Sequence, residues 1–273
     1  PLGYEYAHRS AKQMIERLHR LEEASQGKLS LVTSPQGLER CIEEGVMAAV
    51  MHLEGAEPIL PSLENLDNFY RVGVRSIGIT WSRENAFGCG VPFQIPASPD
   101  TGPGLKPPGK SLVRRCNELG IMIDLAHLNE KGFWDVAEIS DAPLVSSHTA
   151  AHALIPRTRN LTDRQLQAIA DTDGLVGLTF SVNDLDGELL PKKDAPLSAL
   201  IRHLRYITDL IGIDHVAFGS DLDGTTIPSE IGDVTGFQRI RERLHEAGFT
   251  NTEMQKICYQ NWLRVLRVIW DSG

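Results

Sequence analysis

Apolar residues in this chain follow two alternating patterns, short continuous runs and helical periods. Continuous apolar runs of strand length are typical of β-strands that are buried on both faces. Six runs of this kind cover residues 46–55, 74–81, 121–127, 142–148, 174–180 and 214–221. Amphipathic spacing between the runs predicts helices over 108–119, 129–140, 162–171 and 196–211. The alternation of strands and helices predicts parallel βαβ units in an α/β domain.

Helical patterns also precede and follow the predicted strands. Residues 4–24 show helical periodicity, and Ser34 with Pro35 forms an N-cap and first-turn pair for a helix that ends at Glu44. After residue 221 come three amphipathic segments. The Gly- and Pro-rich segment 88–109 is too long for a tight connection and predicts a loop over the mouth of a barrel.

Composition narrows the possible partners. The 273 residues carry 36 acidic and 27 basic side chains, a net charge of -9, which disfavours nucleic acid or an anionic membrane as a partner. The four cysteines are scattered without a CxxC pair, so neither a disulfide framework nor a cysteine zinc site is expected. No apolar stretch reaches the roughly 20 residues of a membrane helix, and no signal peptide is recognisable. A soluble cytoplasmic protein is therefore expected.

Four of the predicted strands end in a residue that can bind a metal or move a proton. These residues are Glu54, His127, His148 and Asp221. The C-terminal ends of parallel strands meet on one face of a barrel, so these side chains are expected to converge there. Glu54, His127 and His148 would supply a His2Glu set for zinc, with a position open for water. Each residue alone could instead be satisfied by backbone contacts, but the three together favour a metal.

Two further residues have candidate catalytic or binding roles. Asp221 could accept a proton from the attacking water and return it to a leaving amine, whereas its alternative role is to cap the following loop. Arg159 lies eleven residues after His148 and could bind a substrate carboxylate through a bidentate pair. The alternative for Arg159 is a solvated loop arginine. Five other histidines are interpreted as structural, namely His52, His152, His203, His215 and His245.

Several segments together resemble a known family, the membrane (renal) dipeptidases of the metal-dependent hydrolase superfamily. The resemblance covers nearly the whole chain, and the order of the segments makes it specific. They are HLEGAEPI at 52–59, LGIMIDLAHLNEKGFWDV at 119–136, APLVSSHTAAHAL at 142–154, RNLTDRQLQAIADTDGLVGLTF at 159–180, GIDHVAFGSDLDG at 212–224 and NWLRVL at 261–266.

The resemblance implies a (β/α)8 TIM-type barrel that holds two zinc ions bridged by a glutamate and a hydroxide. It also implies an enzyme that cleaves dipeptides with a free C-terminal carboxylate. Glu54 matches the bridging glutamate, and His127 and His148 match the pair that completes the second zinc site. Asp221 matches the acid that transfers the proton. Arg159 matches the arginine that holds the substrate carboxylate.

The chain departs from the family pattern in two respects. No His-x-Asp motif, which supplies the family's first zinc site, occurs in the sequence. We therefore expect an N-terminally incomplete barrel domain over residues 1–273, without its first two strands and with at most one well-held zinc. Trp81 stands where many members carry a histidine that helps to polarise the substrate carbonyl. Unpaired sheet edges make a homo-oligomer a reasonable expectation.

The leading hypothesis is a zinc-dependent dipeptidase that acts on small dipeptides. A second hypothesis is a non-catalytic homologue that serves as a binding or assembly subunit, which the missing motif and Trp81 favour. A third keeps the hydrolase but changes the substrate to an N-acyl amino acid or a lactam.

Overall fold

The computed structural model describes residues 2–187 and 194–271. These residues form two compact units. The first unit contains residues 2–90, 102–142 and 263–271, and the second contains 91–101, 143–187 and 194–262. The expectation of a single domain over residues 1–273 stays a prediction.

The first unit begins with a long helix and continues with alternating strands and helices. In chain order its elements are α1 (Tyr4–Ala24), β1 (Leu29–Leu31), α2 (Pro35–Glu44), β2 (Met47–Ala49), β3 (Met51–Glu54), α3 (Leu66–Arg71), β4 (Val74–Gly78), α4 (Pro107–Leu119), β5 (Met122–Asp124) and α5 (Glu130–Ile139).

The second unit repeats this alternation. Its elements are β6 (Val145–Thr149), α6 (Asp163–Asp171), β7 (Leu175–Leu178), α7 (Val182–Leu185), α8 (Leu197–Ile211), β8 (Val216–Phe218), α9 (Phe237–Glu246) and α10 (Asn251–Gln255). A π-helical turn at Lys256–Gln260 leads from α10 into α11 (Asn261–Trp270), most of which belongs to the first unit.

The strands within each unit are parallel. In the first unit β1 pairs with β2, and β3, β4 and β5 pair in that order. In the second unit β6, β7 and β8 pair in order. Every residue of β5 and β7 is buried, which agrees with the continuous apolar runs that predicted them. The predicted α/β fold with parallel sheets is confirmed.

Local signals set the helix boundaries where the sequence carries them. Ser34 caps α2 by accepting a hydrogen bond from the Gly37 amide at 3.2 Å, and Gly45 ends the helix with a left-handed φ of 67°. Thr162 and Gln165 form a capping box at the start of α6. These residues explain why the predicted and observed helix limits nearly coincide.

The first apolar run differs from its prediction as a single strand. The run breaks at Val50 into β2, which pairs with β1, and β3, which pairs with β4. A register irregularity between Met51 and His52 accompanies this change of partner. Strand β1 was not predicted because its three residues are too few for a period to be visible.

The segment between Gly88 and Lys106 contains no helix and no strand longer than isolated bridge residues, as its glycine and proline content predicts. Helix α4 then begins at Pro107, since proline is well suited to the first helical turn. Across the described part of the chain, every helix is too short or too polar to traverse a lipid bilayer.

Candidate metal centre

Glu54 and His127 meet within the first unit. Glu54 is the last residue of β3, and His127 follows β5 after a short turn. Their atoms Oε1 and Nε2 are 3.1 Å apart, and the exposed fraction is 44% for Glu54 and 6% for His127. Two donors of one tetrahedral zinc ion lie roughly 3.4 Å apart, so this pair suits a shared ion in both chemistry and spacing.

The segment after β4 fixes the orientation of the His127 ring. Nδ1 of His127 lies 2.7 Å from Oγ of Ser82, and the Trp81 ring packs against the imidazole with centroids 5.7 Å apart. A hydrogen bond at one ring nitrogen defines the tautomer and aims the other nitrogen at its ligand. Ser82 therefore directs Nε2 of His127 toward Glu54.

A polar cluster joins three strands of the first unit and consists of His52 on β3, Ser76 on β4 and Asp124 on β5. His52 shares a face of β3 with Glu54, and its Nδ1 lies 2.8 Å from Oγ of Ser76. Its Nε2 is 3.7 Å from Oδ2 of the buried Asp124. The contact between His52 on β3 and Asp124 on β5 passes over the intervening strand β4. Gly78 of β4 pairs with Glu54 on one side and with Asp124 on the other, and it has no side chain to block this contact.

The sequence pattern alone assigns His52 a structural role. The signal that could have found this cluster is the two-residue spacing to Glu54, which places both side chains on one strand face.

Two candidate site residues adopt a strained backbone. His127 has a φ of 67° and Asp221 a φ of 52°, both in the left-handed region that non-glycine residues seldom occupy. Such conformations cost of order 1–3 kcal/mol and cluster at functional sites. In both cases the turn comes within three residues after a strand and redirects the chain.

His148 and Arg159 are held together within the second unit. His148 is in β6, and its Nδ1 lies 2.7 Å from Oγ of Ser147. Arg159 donates from Nη2 to the His148 carbonyl at 3.0 Å, while Thr149 donates from Oγ1 to the Arg159 carbonyl at 3.0 Å. Arg159 is only 4% exposed, which argues against the alternative of a solvated loop arginine.

Asp221 follows β8 after Gly219 and Ser220 and is partly exposed. Close backbone packing positions this strand end. A Cβ atom at either Gly177 or Gly219 would overlap with the Ser147 carbonyl, so both glycines are required for the approach of β6, β7 and β8.

The structure thus places Glu54 beside His127 in the first unit and His148 beside Arg159 in the second. Their roles as metal ligands and substrate contacts, and that of Asp221 in proton transfer, stay predictions.

Comparison with known proteins gives a consistent match. A family model described as "Membrane dipeptidase (Peptidase family M19)" matches residues 3–271. A Klebsiella pneumoniae protein named for its position in the pqqA 5'region is 45% identical over 95% of this chain and 96% of its own length. The protein named Dipeptidase tcpJ from Claviceps purpurea is 29% identical over 96% of this chain, which spans 60% of that protein.

Among solved structures, this chain is similar to a metallo peptidase from Rhodobacter sphaeroides that is liganded with a phosphinate mimic of the dipeptide L-Ala-D-Ala. The two are 43% identical and superpose with a TM-score of 0.97, over 98% of this chain and 77% of the Rhodobacter chain.

Proposed function

Because this chain belongs to the membrane dipeptidase family (peptidase family M19), we propose that it is a metal-dependent dipeptidase that hydrolyses dipeptides with a free C-terminal carboxylate. The observation that carries the proposal is the Glu54–His127 pair, two donors of the types that zinc binds, which lie 3.1 Å apart at the end of β3 and after the end of β5. The metallo peptidase from Rhodobacter sphaeroides supports the same reaction class.

We propose that His148 joins Glu54 and His127 as the third ligand, which gives a His2Glu donor set. Three protein ligands leave a position open, as is typical of catalytic zinc sites. A zinc ion held there would polarise the substrate carbonyl and lower the pKa of water toward neutrality. The sequence offers no His-x-Asp motif for a second ion, so the residues present fit one ion.

The other residues act on the substrate. Arg159 would hold the C-terminal carboxylate through its guanidinium group, which the His148 carbonyl and the surrounding burial keep in place. Asp221 would accept the proton of the attacking water and deliver it to the departing amine. Its backbone is left-handed where the chain leaves β8, and its carboxylate lies against Gly224.

The test is hydrolysis of L-Ala-D-Ala and L-Ala-L-Ala by the full chain, freed of metal and supplied with one equivalent of zinc. We expect release of alanine and one bound zinc per chain. The variant Glu54→Gln removes the anionic ligand at constant volume and should lose both the zinc and the activity. Glu23→Gln, at an exposed position of α1, is the matched control and should keep both.

Three outcomes would contradict parts of the proposal. Stoichiometric zinc in Glu54→Gln would refute the ligand assignment. Hydrolysis of N-acetyl-alanine without hydrolysis of any dipeptide would move the substrate class to N-acyl amino acids. Bound zinc with no turnover of either class would favour a non-catalytic binding subunit.

A further inference from the structure

Arg83 forms an unusual ion pair close to the candidate metal centre. Its Nε donates to Oε1 of Glu57 at 2.8 Å. The two partners differ in environment, because Glu57 is only 6% exposed whereas Arg83 is 36% exposed. A pair that served stability alone would gain most from two parallel hydrogen bonds between a guanidinium and a carboxylate. Here the contact is made through Nε on one side of the guanidinium.

The buried partner is anchored next to Glu54. Gly55 has a φ of 105°, and the Glu57 carboxylate fills the space where a Cβ of residue 55 would lie. The segment 54–57 therefore places the Glu57 carboxylate beneath Arg83 and fixes the position of the guanidinium group.

An aromatic side chain connects Arg83 to the candidate metal centre. The guanidinium carbon lies 5.2 Å from the centroid of the Trp81 ring, within the range of a cation–π interaction. The same indole packs against His127, with ring centroids 5.7 Å apart. Arg83, Trp81 and His127 thus form a continuous row that leads to Glu54.

The Nη groups of Arg83 remain available for a ligand. Within residues 2–187 and 194–271, the contacts of its side chain are the Nε bond to Glu57 and the indole face. The neighbouring Glu84 is engaged elsewhere, since its carboxylate pairs with Lys106 at 2.7 Å. The partly exposed edge of Arg83 therefore presents N–H donors to solvent.

We propose that Arg83 and Trp81 form a subsite that binds a carboxylate on the substrate side chain, so that the preferred substrates are dipeptides with an acidic residue. The inference rests on the proposed dipeptidase function, because it places this subsite beside the reacting bond. Planar N–H pairs of arginine match a carboxylate in geometry and charge, and the Trp81 ring and Glu57 hold the guanidinium group in position for it. The role of Arg83 is one of specificity, separate from the proposed role of Arg159 at the C-terminal carboxylate.

The experiment compares isosteric substrates that differ only in charge. The ratio of kcat/KM for Glu-Ala over Gln-Ala, and for Ala-Glu over Ala-Gln, is measured with the zinc-loaded full chain. In one of these two pairs we expect a ratio of about tenfold, which corresponds to about 1.4 kcal/mol. Arg83→Gln should reduce that ratio to near one, and Arg83→Lys should restore part of it. Arg114→Gln, an exposed arginine on α4, is the control and should leave the ratio unchanged.

Calorimetric binding of the same dipeptides to the zinc-free chain separates this inference from the proposed function. If no dipeptide is hydrolysed, the dipeptidase function is refuted. The subsite would still be established if the zinc-free chain binds a Glu dipeptide more tightly than its Gln partner and if Arg83→Gln abolishes this difference in affinity. Equal affinities and equal kcat/KM for the Glu and Gln partners would overturn the subsite. So would an Arg83→Gln variant that loses activity on both partners by the same factor.

Discussion

Acidification should destabilise this protein through one buried histidine, His203 in α8. The ring has no exposed surface. Its Nδ1 accepts a hydrogen bond from the Ala151 amide at 3.1 Å, and its Nε2 donates to the Leu185 carbonyl at 3.0 Å. This arrangement requires the neutral ring with its proton on Nε2, because a protonated Nδ1 would face the Ala151 N–H.

Burial lowers the pKa of His203 from 6.5 to about 4, with smaller effects from the Leu185 carbonyl, which raises it, and from Arg202, which lowers it. Because the folded-state pKa lies below the unfolded value, the unfolded chain takes up the proton first as the pH falls. The stabilisation is complete above pH 6.5, declines through the window between 6.5 and about 4, and is lost below it. At about 1.4 kcal/mol per pKa unit, the shift corresponds to about 3 kcal/mol.

The assay is urea unfolding followed by circular dichroism, in the presence of a chelator so that metal binding does not contribute. The free energy of unfolding of wild type and His203→Gln is compared between about pH 7 and about pH 4.5. Gln cannot take up the proton, so the advantage of the wild type should shrink by about 2–3 kcal/mol as the pH falls. His245→Gln, at an exposed position of α9, should show a far smaller change. A difference between wild type and His203→Gln that stays constant across this range would refute the reasoning.

Two other substitutions test the packing and the ligand geometry. Gly177→Ala should cost about 3 kcal/mol of unfolding free energy, because the new Cβ would overlap with the rigid Ser147 carbonyl. Gly102→Ala is the control and should be nearly neutral in the same melts, because its new Cβ would meet only Nδ2 of Asn129 at 3.8 Å. Comparable stability of the two alanine variants would be inconsistent with the strand packing. Ser82→Ala should weaken zinc binding by about 10–100-fold in a competition titration, because it removes the hydrogen bond that orients His127. An unchanged zinc affinity would show that Ser82 does not set the ring orientation.

Much of the fold could be predicted from the sequence because local signals agree with the tertiary structure. The helix over residues 4–24 and the Ser34–Pro35 start of α2 are encoded by period and cap chemistry, which depend on near neighbours. The division of the first apolar run between β2 and β3 could not be predicted. It depends on which strand each half pairs with, and the hydrophobicity of the run is the same for either choice.

The candidate site shows the same contrast. Strand-end position was enough to single out Glu54 and His127, since parallel strands bring their C-terminal ends together. The contact of His52 with Asp124 was not visible, because it passes over Gly78 and depends on the absence of a side chain there. The ion pair of Arg83 with Glu57 joins residues 26 positions apart, with no periodic signal to link them.

The left-handed backbone at His127 and Asp221 restricts which residues either position can accept. Asparagine tolerates this conformation well, so an Asn variant would change the side-chain chemistry and leave the turn intact. A valine or isoleucine would force the turn itself to relax, and the loss of function would then combine a missing functional group with a displaced chain. Among substitutions at these two positions, only glycine and short polar residues such as asparagine and aspartate are expected to keep the turn.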